Sequence, residues 1–267
     1  MIWIYSLNSS GSNWILRLFK RALGDDAALA EPFSPNAWDG FSGHPDYLKV
    51  VEAHSHLRGR WQGRNETITG EMKDSLQTIF DAAMEMWPKA RCFKTLDYPY
   101  WEFVREYYDD VKFIRMHRDL EGFLCCIARR PHRTRWYDNA FYYDVGETTP
   151  WWETKERFCR EKSTPPGERN LVNAAFFYLY REQWLDENEP DDVYVADFKT
   201  LAANWCEEPH KIMDYCGLPR LNEAVLADWA SIVPRSWSQS PFDVRDVVRI
   251  SEDVVEWVEC QLPENSV

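Results

Sequence analysis

The sequence is poor in positive charge. Its 267 residues include 31 Lys and Arg against 44 Asp and Glu, a formal net charge of −13 at pH 7. Because so acidic a surface repels a polyphosphate backbone along the whole approach path, general nucleic-acid binding is excluded as an expected function. Long apolar segments are also absent: no run approaches the roughly 18 residues of a membrane span, and the N-terminal run IWIY is too short for a signal peptide. We therefore expect neither a nucleic-acid partner nor a membrane segment.

The cysteines lack the pattern of a disulfide framework or a metal site. They are odd in number, and none lies in a Cys-x-x-Cys pair or shows the Cys/His spacing of zinc ligands. Reduced thiols in the cytoplasm are the simplest interpretation, and we expect no metal ion. The seven cysteines are Cys92, Cys125, Cys126, Cys159, Cys206, Cys216 and Cys260.

Strand patterns alternate with helix patterns along the chain. Residues 2–6 are apolar and β-branched or aromatic, as in a buried strand, and residues 14–23 carry apolar side chains at helical spacing. Such alternation predicts an α/β fold with three layers, a parallel β-sheet flanked by helices, with helical insertions. Further strands are predicted at 91–97, 111–116 and 193–198, and further helices at 47–57, 70–86, 98–108, 120–128 and 171–185.

No linker divides the chain, so we expect residues 1–267 to form a single domain. Within it, residues 131–169 are rich in Trp, Tyr, Pro and charged side chains and show no clear periodicity. This composition predicts a surface insertion or lid.

The first predicted strand runs through a loop of small polar residues directly into a helix, in the sequence SLNSSGSNW. A helix N-terminus presents unpaired N–H groups and a positive dipole end, and Gly11 leaves room for the backbone to close around an anion. Ser9, Ser10 and Ser12 add hydroxyl donors. The Walker pattern is missing, however, and the loop has no lysine. The alternative is an ordinary turn with a Ser or Asn helix cap.

Three separated segments, in the right order, resemble the family of sulfotransferases that use 3′-phosphoadenosine 5′-phosphosulfate (PAPS). SSGSNW at 9–14 resembles the family's KSGTTW, and RDLEGFLCC at 118–126 resembles RDPxDVxxS. VADF at 195–198, followed by YCGLP at 215–219, resembles YEDL before a helix that ends in GLP. The resemblance implies a P-loop nucleotide-binding fold and PAPS as the cofactor.

The resemblance also implies roles for individual residues. The loop residues Ser9, Ser10, Gly11, Ser12 and Asn13 would hold the 5′-phosphosulfate. Arg118, whose planar fork suits two phosphate oxygens, would bind the 3′-phosphate together with Cys126. Trp14 would stack against the adenine. The alternatives from the residues alone are a surface ion pair for Arg118 and core packing for Trp14.

The sequence departs from the family at the reacting centre. Ser9 stands in place of the loop lysine, Leu96 in place of the catalytic histidine of KTHLP, Cys126 in place of a serine and Val195 in place of the tyrosine of YED. Lys94, two residues before Leu96 and on the same face of its strand, is the candidate for the missing cation. Asp97 is the candidate general base, and its alternative is a turn or helix cap.

These patterns predict the transfer of a sulfuryl group to a hydroxyl or amine of a small molecule or glycan. The losses at the reacting centre leave open a catalytically inactive module of the same fold that binds a nucleotide or a partner. A phosphoryl transferase of related fold is disfavoured, because the loop lysine and a carboxylate for Mg²⁺ after a strand are both missing.

Overall fold

A parallel sheet of five strands organises the chain in a computed structural model, which describes residues 1–7, 11–33, 37–58, 70–96, 100–128, 149–232 and 244–261. The strand order is β2-β3-β1-β4-β5. This confirms the predicted parallel α/β fold, although only four strands were predicted, because β2 is too short to show an alternating pattern. The strands are β1 (Ile2–Ser6), β2 (Ala28–Ala30), β3 (Cys92–Leu96), β4 (Lys112–His117) and β5 (Tyr194–Asp197).

Helices fill the connections between the strands. The stretch 131–169, which showed no periodicity, contains a helix at Pro150–Glu161 that begins with a Thr149 cap and a proline in its first turn. None of the described helices is both long and apolar enough to cross a membrane. The helices are α1 (Ser12–Leu23), α2 (Tyr47–Arg58), α3 (Gly70–Met86), α4 (Trp101–Tyr107), α5 (Leu120–Ala128), α6 (Pro150–Glu161), α7 (Arg169–Asn188), α8 (Phe198–Ala203), α9 (Glu208–Tyr215), α10 (Glu223–Ser231) and α11 (Val244–Gln261), with short 3₁₀ turns at Asp25–Ala27 and Ala37–Phe41.

The chain divides into two compact units. The first contains the whole sheet with α1 to α4 and α8 to α10, and the second contains α5, α6, α7 and α11. That the chain is a single domain, and that 131–169 is an insertion or lid, stay predictions; residues 129–148 lie outside the described residues.

In the first unit, helices cover both faces of the sheet. On one face Ile2 and Ile4 of β1 pack in a buried cluster with α1, α8, α9 and α10. On the other face the Trp3 ring lies 5.5 Å from Phe93 of β3, and Tyr5 lies 5.6 Å from Trp101 of α4. Successive residues of a strand point to opposite faces, so β1 contributes to both layers of core. The predicted three-layer architecture is confirmed.

The second unit is a layer of helices that pack through aromatic side chains. Phe158 of α6 contacts Phe176 of α7 and Trp257 of α11, at centroid distances of 5.6 and 5.7 Å. Phe123 of α5 lies 5.1 Å from Tyr178 of α7. These pairs give the unit its own core.

Lowering the pH is expected to destabilise the first unit through His54. This side chain of α2 is 0% exposed and packs against Phe41, and burial lowers its pKa from 6.5 to about 4. Above pH 6.5 the imidazole is neutral in both states. Below pH 6.5 the His54 imidazole binds a proton in the unfolded chain but stays neutral in the folded protein. Roughly 3 kcal/mol of the free energy of unfolding is therefore lost by pH 4.

Urea unfolding of His54→Leu between pH 7 and pH 4 measures this contribution. The variant should lose less stability on acidification than the wild type, whereas His56→Leu, which removes an exposed histidine of the same helix, should keep the wild-type pH dependence. Parallel curves for wild type and His54→Leu would contradict the prediction.

Candidate functional site

The carboxyl ends of β1 and β3 form a topological switch point. These strands are neighbours, with Ser6 opposite Leu96. The chain leaves β1 through α1 on one face of the sheet and leaves β3 through α4 on the other. Ligands of open α/β sheets bind in the crevice that such a divergence creates. The loop before α1 and the end of β3 therefore lie where a ligand is expected.

Lys94 presents a buried cation at this place. Its register partner is Ile4, so its side chain is on the face covered by α1, and it is only 1% exposed. The ammonium Nζ donates a hydrogen bond of 2.7 Å to Oδ1 of Asn13 and contacts the carboxylate of Glu31. The structure thus brings together two residues predicted for the site, the start of α1 and the end of β3, from positions 81 residues apart.

Glu31 is a site residue that the sequence analysis missed. It follows β2 directly, and its backbone N–H donates a 2.7 Å hydrogen bond to the Lys94 carbonyl. Its φ of 52° lies in the left-handed region, which costs a residue other than glycine on the order of 1 kcal/mol. Lys94 therefore contacts Glu31 through both backbone and side chain. The available signal was an acidic residue directly after the apolar run ALA.

Gly11 begins α1 in a conformation that requires glycine. Its φ is 97°, and a Cβ placed on it would lie 2.6 Å from Cδ2 of Phe198. The N-cap residue of α1 is Gly11, not a Ser or Asn as in the predicted alternative, and residues 8–10 lie outside the described residues. Ser12 is buried. The N–H of Trp14 donates a 2.8 Å hydrogen bond to the Gly11 carbonyl, and the positive dipole end of this twelve-residue helix favours an anion.

Arg118 lies over the same phenylalanine. Its guanidinium carbon is 4.1 Å from the centroid of the Phe198 ring, within the range of a cation–π interaction. Phe198 therefore contacts Arg118 and also closes the space beside Gly11. It is the last residue of VADF, so two of the segments that carried the resemblance meet through this ring.

His117 and Asp197, which directly precede Arg118 and Phe198, are joined by a hydrogen bond. Nδ1 of His117 lies 3.2 Å from Oδ2 of Asp197, and Asp197 caps α8 by accepting a 2.8 Å bond from the Thr200 N–H. Burial raises the pKa of Asp197, but the hydrogen bonds from Thr200 and His117 outweigh burial and lower it. The ionised carboxylate thus anchors the turn that places Phe198.

Trp14 belongs to the core of the first unit. Its ring stacks on Trp229 at 4.3 Å, with an interplanar angle of 4°. Each indole N–H donates to the backbone carbonyl of the other residue, at 3.3 Å from Trp14 and 2.8 Å from Trp229. With 2% of Trp14 exposed, an adenine could stack on it only by displacing a neighbouring ring. This is the packing role that was the alternative for Trp14.

Of the four remaining predicted site residues, only Cys126 lies within the described part of the chain. Ser9, Ser10 and Asp97 lie outside the described residues, and Cys126 is a partly exposed free thiol on α5 of the second unit. In the part of the chain that the structure describes, no group of three or more His, Cys, Asp or Glu side chains could hold a metal ion.

A groove of about 490 Å³ lies between α2 and α3, away from the residues above. None of the predicted site residues lines it. Three carboxylates and one lysine, Lys49, line it, so its net charge does not favour a phosphate. Its lining includes Glu52, His56, Leu57, Glu71 and Asp74.

Comparison with known proteins finds similarity only among solved structures. No protein-family model matches the chain, and no curated protein does. The chain is similar to the sulfotransferase STF1 from Mycobacterium tuberculosis H37Rv, with 12% identity and a TM-score of 0.43 over 94% of this chain and 75% of that one. Sulfotransferase STF9 from Mycobacterium avium gives 9% identity and a TM-score of 0.45 over 97% of this chain and 76% of that one. The sulfotransferase domain of the Synechococcus PCC 7002 olefin synthase gives 12% identity and a TM-score of 0.40 over 96% of this chain and 94% of that one. At these values the likeness assigns no residue a role, so the roles below depend on the contacts of this chain.

Proposed function

We propose that the protein transfers a sulfuryl group from PAPS to a hydroxyl or amine of a small molecule or glycan. The observation that carries the proposal is the buried ammonium of Lys94 beside Asn13 at the N-terminus of α1. It offers a fixed cation where the loop has none. A buried ammonium, a helix N-terminus and an arginine fork form a donor set that fits an anionic nucleotide.

Two groups of residues would bind the two anionic ends of PAPS. The loop from Ser9 to Asn13 and the N-terminus of α1 would hold the 5′-phosphosulfate, and Arg118, which lies over Phe198, would bind the 3′-phosphate. PAPS supplies the activated sulfuryl group. Lys94 stabilises the negative charge that develops on the bridging oxygen, the task of the missing loop lysine.

The acceptor must lose a proton as it attacks, and Leu96 cannot take it. Glu31 is the carboxylate that the structure places beside Lys94, with 29% of its side chain exposed. We assign it the role of general base, which accepts the proton of the acceptor hydroxyl or amine at a carboxylate oxygen. Asp97, the base predicted from the sequence, stays a second candidate.

A non-catalytic nucleotide-binding module is the second candidate function. It is favoured by one observation: the charge of Lys94 is already matched by Glu31 within the protein. Both functions need the same cofactor site, and turnover separates them.

Calorimetric titration with adenosine 3′,5′-bisphosphate tests the cofactor site. We expect micromolar binding without metal by the wild type and binding weakened roughly tenfold to hundredfold in Arg118→Ala, because a charge-assisted contact to phosphate is lost. Arg220→Ala, which removes an arginine paired with Asp214 on the surface, is the matched control and should bind normally. No binding by the wild type, or binding of ATP with Mg²⁺ in preference, would refute the assignment.

A further inference from the structure

The cation of the candidate site is held by a carboxylate of the protein itself. We propose that Glu31 is an internal competitor of the ligand: its carboxylate occupies Lys94 as an anionic oxygen of the ligand would, and it must be displaced for the ligand to bind. Glu31 thereby sets the affinity of the site for anions. The inference rests on the proposed function for the identity of the nucleotide, but not for the competition at Lys94.

The competition follows from the geometry of the ammonium. Lys94 is 1% exposed, and Nζ directs donors to Asn13 and to Glu31. A lysine ammonium has three donors and one positive charge. A phosphate or sulfate oxygen that approaches Nζ meets the carboxylate within the same coordination shell, where two anions repel each other. The incoming anion therefore gains the full attraction of Lys94 only when the carboxylate leaves.

Asn13 and Glu31 are both accessible to solvent, but only Glu31 is charged, so its departure is the one that frees the charge of Lys94. The Lys94 side chain is enclosed, whereas 29% of the Glu31 side chain is exposed, so its carboxylate can turn into solvent. Its backbone is held independently by the 2.7 Å hydrogen bond from its N–H to the Lys94 carbonyl. The carboxylate can therefore swing away while the chain after β2 stays in place.

Displacement also links binding to chemistry. While the Glu31 carboxylate is paired with Lys94, the ammonium neutralises its charge. Once it is released from Lys94, the carboxylate can accept the proton of the acceptor. The donor nucleotide would thus free the base before the acceptor reacts. An acceptor that arrives first meets a carboxylate still bound to the lysine.

Titration of two anions into Glu31→Gln tests the inference. The probes are adenosine 3′,5′-bisphosphate and inorganic pyrophosphate, measured by calorimetry against the wild type. Glu31→Gln keeps the shape of the side chain but removes its charge, so both probes should bind about tenfold tighter or more. The matched control is Glu106→Gln, which removes the same charge from the exposed pair with Lys73 and should leave both affinities unchanged. Glu31→Asn is the second variant, since asparagine tolerates a positive φ, and the same tightening is expected for it.

The outcomes separate this inference from the proposed function. Unchanged or weaker binding of both probes by the folded variants overturns the inference, even if the wild type binds the bisphosphate. Tighter pyrophosphate binding by the variants, with no bisphosphate binding by any form, supports the competition at Lys94 and refutes the nucleotide. Failure of every form to bind either anion overturns both.

Discussion

Replacing Lys94 by methionine is expected to lower the rate of sulfuryl transfer by a factor of about 10² to 10³. Methionine keeps the length and apolar body of the side chain but removes its positive charge, which is held beside the start of α1. The effect should be large because the ammonium is 1% exposed, and a charge that is shielded from water stabilises a developing negative charge far better than a solvated one. Lys94→Arg, which keeps the charge with a larger head group, should retain part of the activity.

The measurement is the release of adenosine 3′,5′-bisphosphate from PAPS in a screen of hydroxyl and amine acceptors. Lys112→Met is the matched control: Lys112 is also a strand lysine paired with a carboxylate, that of Asp110, but it begins β4 at the amino end of the sheet. It should retain wild-type turnover. Because Lys94→Met leaves Glu31 without its ion-pair partner, circular dichroism would establish that the variant is folded. A folded Lys94→Met with wild-type turnover would refute the catalytic role.

The sequence predicted the elements whose patterns are local. β1 and α3 were predicted at the bounds that the structure has, because an uninterrupted apolar strand and a long amphipathic helix each carry their own signal. β2 is only three residues long, and the pattern ALA favours no strand by itself. It forms because β3 pairs with it, a contact that the local sequence does not contain.

The same distinction applies to the site. Side-chain alternation was enough to give Lys94 and Leu96 a common face, but not to place Asn13 on the ammonium, because that contact joins residues of different elements. Glu31 was missed for the same reason as β2, on whose position it depends. Phe198 could be named as part of a motif, whereas its contact with Gly11 depends on the packing of α8 against the start of α1.

The position of Trp14 shows how tertiary packing can favour one of two roles that a sequence leaves open. A tryptophan in the first turn of a helix, next to a predicted phosphate loop, suits adenine stacking and core packing alike. The structure has Trp229, 215 residues later, stacked on its ring and hydrogen-bonded to its backbone. Such a pair carries the energy of both burial and buried hydrogen bonds.

Trp229→Ala is therefore expected to lower the free energy of unfolding by about 3–5 kcal/mol, the cost of removing a large aromatic side chain from a core. Trp229 is 0% exposed, and truncation would also leave the Trp14 carbonyl without its donor. Urea unfolding is the measurement, and Trp205→Ala, a tryptophan only partly buried against the same cluster, should cost clearly less. Because the two stacked rings share one contact, Trp14→Ala combined with Trp229→Ala should cost less than the sum of the single changes. Additive losses would contradict the pairing.

Trp14→Phe, which keeps a ring in the core, should bind adenosine 3′,5′-bisphosphate with wild-type affinity, and a weakened affinity in the folded variant would restore the adenine-stacking role.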